Sequence, residues 1–219
     1  MKYIKPYYVI ETEINGSELL KQIEKIGRTC YKSESKITND SAVNFVSKLI
    51  KNGHEAMIEH NAITVRFVCD RGVSHEIVRH RLASYGQEST RYCNYSNDKF
   101  NNEINTIDVS GGISLDTKMN SFSADTIKLI MDEWVLAMED AERHYMKMIE
   151  LGATPQIARG VLPTSVKTEI VVTMNLREWR HFFKLRTAIS SHPQMRELTI
   201  PLLEEFKKLI PCVFDDIQY

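Results

Sequence analysis

Two stretches of this chain alternate apolar and polar residues, and each runs directly into a segment of helical period. That pairing commits the chain to a sheet with helices laid against it. The first, AITVRFVC over residues 62–69, reads as a strand that delivers the chain to a short helix. The second, VKTEIVVTM over 166–174, leads into a helix from Leu176, with Asn175 as N-cap and Trp179, Phe182 and Phe183 on its apolar face. Residues 3–12 predict a further strand. Ser17 is expected to cap a helix carrying Leu19, Leu20, Ile23 and Ile26, and a second helix runs from about Asn39 to Asn52 and stops at Gly53. A polar stretch from Ser96 to Asn120 holds a short strand at 104–109. The longest helix spans about 124–151, with Ile127, Met131, Trp134, Met138, Ala141, Tyr145 and Met148 at helical spacing. Thr154 and Pro155 open a short helix, and a last one starts near Pro193 with Pro201 inside it. The expected fold is α+β. A single domain over 1–219 holds a central, mostly antiparallel sheet flanked by helices, the long one near 124–151 among them.

A chain of 219 residues with 42% hydrophobic content is long enough to bury one substantial core. A formal net charge of −1 argues against a general nucleic-acid coat, so its basic clusters are specific ones. No apolar run approaches the roughly 18 residues that span a bilayer, and the segment MKYIKPYYVIET lacks the apolar core of a signal peptide. A cytoplasmic protein without a membrane partner is expected. Cys30, Cys69, Cys93 and Cys212 are dispersed without metal-ligand spacing, which suits reduced structural thiols. His54, Glu55, Glu59 and His60 form an exposed cluster or a metal site, but their spacing is not the HExxH of a zinc helix, and no metal is expected.

The segment RHRLASYGQESTRY, Arg79 to Tyr92, gathers three arginines, a histidine and two serines where a short helix is expected to end. That helix is expected to be capped by Ser74, and Gly86 marks a turn. Cations here offset a helix dipole by roughly 0.3–1 kcal/mol each, which accounts for one or two of them. The alternative is an anion site, because planar guanidinium forks beside the hydroxyls of Ser89 and Thr90 suit a phosphate. Arg79 and Arg81 are two residues apart and point to different sides, towards different partners or different parts of one ligand. Arg186 lies three and four residues from Phe183 and Phe182, beside the buried stripe, and either snorkels to water or enters a ligand pocket. Two other classes compete. Tyr85, Tyr92 and Tyr95 beside the basic run would suit a single-strand nucleic-acid module, and the histidines a metal hydrolase.

RHRLASYGQESTR resembles the signature of flavin-dependent thymidylate synthases, matching at Arg79, His80, Arg81, Ser84, Ser89 and Arg91. Gly86 stands where that family usually has Asn, and Gln87 where an acidic residue is common. GHEAMIEH near 54, ARGVLP near 159, MNLREW near 175 and KLRTA near 186 resemble further family segments in order. The resemblance implies reductive methylation of dUMP to dTMP, with methylenetetrahydrofolate as carbon donor, FAD reduced by NADPH, and no covalent cysteine adduct. It implies dUMP contacts at Glu76, Arg79, Ser89, Arg91, Arg159 and Arg186, with Arg186 catalytic. It implies FAD contacts at His54, Arg79, His80, Arg81, Gln87, Asn175, His181 and His192, and a homotetramer whose sites draw on several subunits. No nucleic-acid partner is implied.

Overall fold

The computed structural model describes residues 1–97 and 101–219, so residues 98–100 of the polar stretch fall outside the description. Four strands form an antiparallel sheet in the order β2 (Tyr7–Ile10), β3 (Ala62–Asp70), β6 (Lys167–Asn175) and β4 (Ala83–Gln87). The two alternating stretches are its centre, paired with Ile63 opposite Met174, Val65 opposite Val172 and Phe67 opposite Ile170. Because strand side chains alternate, all six fall on one face, which is buried. The other face is polar, with Thr64 against Thr173 at 2.9 Å and Arg66 on Glu11 at 2.6 Å.

The buried face is covered by α1 (Gly16–Thr29), α2 (Ser41–Lys51), α7 (Leu176–Arg186) and α8 (Pro193–Leu209). Asn175 caps α7 as expected, its Oδ1 accepting from the Glu178 backbone N at 2.8 Å. The stripe of α7 then enters an aromatic stack: Trp179, Phe182, Phe183, Phe206 and Phe214 lie with ring centroids 5.1–5.7 Å apart. The Trp179 indole N–H donates to the Ile63 carbonyl at 3.0 Å, tying helix to sheet.

A smaller core of Tyr95, Ile104, Tyr145, Ala158 and Val166 lies under the long helix α5 (Ala124–Glu150). Beside it β1 (Lys2–Ile4) pairs in parallel with β5 (Asn105–Ile107). The short helices α3 (Arg71–Ile77), α4 (Ser110–Leu115) and α6 (Pro155–Ala158) complete the set among the described residues, none of whose helices is long and apolar enough to cross a membrane.

Four local expectations are corrected. The strand expected over 3–12 is two strands in different sheets, broken around Pro6, which has no N–H to give a ladder. Asn15 rather than Ser17 caps α1, because its Oδ1 accepts from Glu18 N at 3.2 Å. Asp70 rather than Ser74 caps α3, its Oδ1 2.6 Å from Val73 N, so the helix starts four residues earlier than the hydroxyl suggested. Gly86 lies within β4, opposite Val171, and not in a turn.

α1 begins against the end of α8, where a Cβ on Gly16 would run into the Leu209 carbonyl oxygen. Gly16→Ala is expected to destabilise the fold by about 1–3 kcal/mol through overpacking, measured as a drop in the urea midpoint at unchanged slope. An unaltered midpoint would show that the two helix ends separate freely.

Candidate active site

The central strand β3 ends at Asp70 and passes straight into α3, whose last turn releases the chain at Val78. Arg79, His80 and Arg81 therefore follow the helix rather than wind around it. Tyr85 of β4 fixes this turn, its hydroxyl donating to the carbonyls of Ile77, at 3.0 Å, and of His80. The result is a split: His80 is 3% exposed and turned inward, while Arg79 and Arg81 face outward.

Inside, His80 meets the end of α7. Arg186 donates from Nε to His80 Nε2 at 3.0 Å, from Nη1 to Glu76 Oε2 at 2.8 Å and from Nη2 to the Glu76 carbonyl at 2.9 Å. A guanidinium carries about five N–H donors, so three are used and one on each terminal nitrogen is left for a ligand. On its other edge His80 Nδ1 lies 3.1 Å from Glu178 Oε1, and His181 Nδ1 lies 3.2 Å from the same oxygen. The Phe182 ring stands edge-on to His80 with centroids 4.9 Å apart. Burial in this wall, opposed by Glu178 and aided by the Arg186 charge, holds the His80 imidazole below the usual histidine value. His80, Glu178 and His181 place ligand atoms within 4.8 Å of one another, close enough for a metal ion. The hydrogen-bonded network occupies both Nδ1 atoms with one carboxylate oxygen instead.

α3 has a second face. Arg71 and His75, four residues apart, line a cleft of 350 Å³ with Thr90, Arg159, Gly160, Leu162, Pro163 and Thr164. Arg159 Nη1 donates to Thr90 Oγ1 at 3.2 Å, and Arg71 Nη1 reaches Thr168 Oγ1 at 3.5 Å. Arg28, Arg66, Arg143, Arg177, Arg180 and Arg186 each hold a carboxylate. Among the described residues Arg71 and Arg159 hold none, and neither do Arg79, Arg81 and Arg91. Among the described residues Arg196 of α8 also lacks a carboxylate, but its donors go to the Thr187 and Leu115 carbonyls, whereas Arg71 and Arg159 open on the cleft.

The sequence-derived site residues fall into groups. Glu76 and His80 meet Arg186 at the end of α7, while Asn175 at its start and His181 in its middle line a 730 Å³ cleft with Glu55, Glu59, Leu82, Arg177, Glu178 and Lys184. Ser89, Arg91 and Arg159 adjoin the second cleft: Ser89 Oγ accepts from Arg91 N at 3.3 Å, and Arg91 extends over the Tyr92 ring. Three have polar atoms engaged within the chain. The His80 imidazole is enclosed, and both its nitrogens are occupied. The Gln87 amide is turned towards α3, donating to Ser74 Oγ at 2.8 Å and Thr168 Oγ1 at 3.2 Å. His192 caps α8, its Nδ1 accepting from Gln194 N at 3.2 Å, in a different cleft beside Asp116. His54 is exposed before the turn 55–60, whose acids are taken: Glu55 binds Arg180 at 2.9 Å and Glu59 binds Arg177 at 2.5 Å. Sequence reading missed Arg71, His75 and Glu178. The i, i+4 spacing of the first two was the available signal, whereas Glu178 was hidden in the capping position three residues after Asn175.

The comparisons agree with one another. Residues 14–212 match the family model described as thymidylate synthase complementing protein. A flavin-dependent thymidylate synthase from Geobacter sulfurreducens is 32% identical over 196 residues, covering 86% of this chain and 78% of the relative. One from Mycobacterium sp. (strain JLS) is 31% identical over 219 residues, covering 95% and 83%, and one from Pyrococcus horikoshii 36% over 174, covering 79% and 66%. Among solved structures, a UMP/dUMP methylase PolB from Streptomyces cacaoi, bound with 5-Br dUMP, superposes with a TM-score of 0.80 over 98% of this chain and 96% of that one. At 21% identity that likeness shows a shared fold.

The depressed His80 value has a consequence for stability. An unfolded chain takes up a proton on this residue as pH falls through about 6.5, and the folded chain resists it. Stability present above that pH is therefore lost progressively below it, towards the folded value. The urea midpoint of His80→Asn is expected to fall less steeply below pH 6.5 than that of the wild type. Parallel slopes would contradict the buried, neutral imidazole.

Proposed function

Because the chain belongs to the family of thymidylate synthase complementing proteins and flavin-dependent thymidylate synthases, we propose that it methylates dUMP to dTMP, using FAD reduced by NADPH and methylenetetrahydrofolate as carbon donor. The observation that carries this reading is the pair of sites on α3. One face of the helix holds Arg186 with two N–H bonds to spare, and the other opens on a carboxylate-free pair of guanidinium groups. A nucleoside monophosphate has the matching halves: a ring on which negative charge develops and a phosphate dianion.

In this reading Arg159, Ser89 and Arg91 grip the phosphate, joined by Arg71, and Thr90 holds Arg159 in place. Arg186 stabilises the charge that builds on the uracil ring as its carbon attacks the one-carbon unit. Glu76 keeps that guanidinium on station. The residues present suit a flavin: Leu82, 74% exposed, offers an apolar face beside the 730 Å³ cleft, and Arg79 and Arg81 offer unpaired cations for a pyrophosphate. Asn175 and His181 line that cleft and would hold it. Bound there, reduced flavin supplies the hydride that completes the methyl group.

The setting of the cysteines supports a mechanism without a covalent adduct. Burial pushes the Cys69 and Cys212 thiols up, away from thiolate, Cys30 lies beside Met57, and Cys93 packs against the smaller core. The outward direction of Arg79 and Arg81 supports sites completed by a neighbouring copy. So does α5, which buries only Met138 and Tyr145 of its 27 residues while leaving Leu129 and Leu136 mostly exposed. A homotetramer acting in the cytoplasm is the assembly proposed.

Purified protein is expected to be yellow, to bleach with NADPH and to form dTMP from dUMP and methylenetetrahydrofolate, with Cys93→Ala retaining turnover within about threefold. Colourless protein that binds single-stranded oligonucleotide in a salt-dependent way would refute the reading. Complete loss of turnover in a folded Cys93→Ala protein would restore a thiolate mechanism.

A further inference from the structure

Behind Arg186 stands a second buried charge, Glu178, 6% exposed. It occupies the position at which a glutamate normally returns a bond to the N-cap backbone, yet its Oε1 faces His80 and His181. The chemistry of the next contact fixes the protons. An arginine Nε–H only donates, so its 3.0 Å contact with His80 Nε2 requires that nitrogen to be unprotonated. The proton of the neutral ring then sits on Nδ1, aimed at Glu178 3.1 Å away. The chain has one direction, with the carboxylate accepting from Nδ1 and Nε2 accepting from the guanidinium.

We infer that Glu178 is a positioning residue: it fixes His80 as the Nδ1–H tautomer and, through that ring, holds the Arg186 guanidinium in register for the nucleotide. The inference rests on Arg186 acting on the uracil. Without the carboxylate, the enclosed Nδ1–H would lose its acceptor. The ring would then favour the Nε2–H form, which points a donor at a donor. The groups facing His80 are Glu178, His181 and Arg186 from α7, the Phe182 ring, and the Tyr85 hydroxyl from β4 on its carbonyl. None of the others accepts a proton from Nδ1. The alternative role for Glu178, helix capping alone, leaves the tautomer of His80 unaffected by its removal.

The test combines nitrogen NMR of the histidine-labelled, flavin-loaded protein near neutral pH with steady-state kinetics. Wild-type His80 is expected to show a protonated Nδ1 and a bare Nε2. Glu178→Ala, assayed at saturating flavin, is expected to lose that signature and to lower kcat about tenfold or more, with KM for dUMP within about twofold. Glu178→Gln, whose amide oxygen still accepts from Nδ1, is expected to recover most of both. An Nε2-protonated His80 in an active wild type overturns the inference whether or not the alanine variant folds. Glu178→Ala with tautomer and kcat intact overturns it equally. Absence of dTMP formation by the wild type overturns the enzymatic reading instead, which separates the two failures.

Discussion

The hold of Glu76 and His80 on Arg186 is the interaction on which the site depends. It joins the last turn of α7 to α3 and to the turn directly after it, so two segments distant in sequence share one guanidinium. The Arg186 side chain remains 18% exposed, enough to meet a ligand and too little to swing away from it. Partly buried arginines usually spend their donors on carboxylates and carbonyls. This one keeps two in reserve because a neutral imidazole, rather than a second acid, fills its Nε side.

α3 owes its position to the sheet. β3 and β6 pair along their whole length, so the end of β3 and the beginning of α7 are set by one register. The aromatic stack behind α7 then leaves that helix little freedom to slide, and both faces of a seven-residue helix become useful. On one side sits Arg186, and on the other the cleft with Arg71 and Arg159. The smaller core under α5 supports the second side through Ala158, which precedes Arg159, and Tyr95, four residues after Arg91.

Much of this was legible in the amino-acid order. The two alternating stretches became the central strands, Asn175 capped α7, and the helix expected over 124–151 is α5, because in each case the local period agrees with the tertiary burial. The caps of α1 and α3 were misplaced because several side chains near each helix start can accept from the first N–H groups, and only the chain entry angle chooses among them. Gly86 lost its turn to a strand whose pairing with β6 is long-range and leaves no local trace. Arg79 and Arg81 were expected on different sides of a helix, whereas the chain leaves the helix before them, and a turn leaves both exposed and sends His80 inward. The enclosure of His80 and the partnership with Glu178 had no signal in one dimension. They arise where the chain following β3 meets the helix following β6.

The most direct measurement is the single-turnover rate of Arg186→Lys in flavin-loaded protein saturated with dUMP. Lysine keeps the charge but has no planar fork to hold Glu76 and His80 while reaching the ring. The account expects a rate reduced by about a hundredfold or more, with flavin and dUMP still bound. A rate close to that of the wild type would mean that the geometry of this guanidinium is not what drives the chemistry.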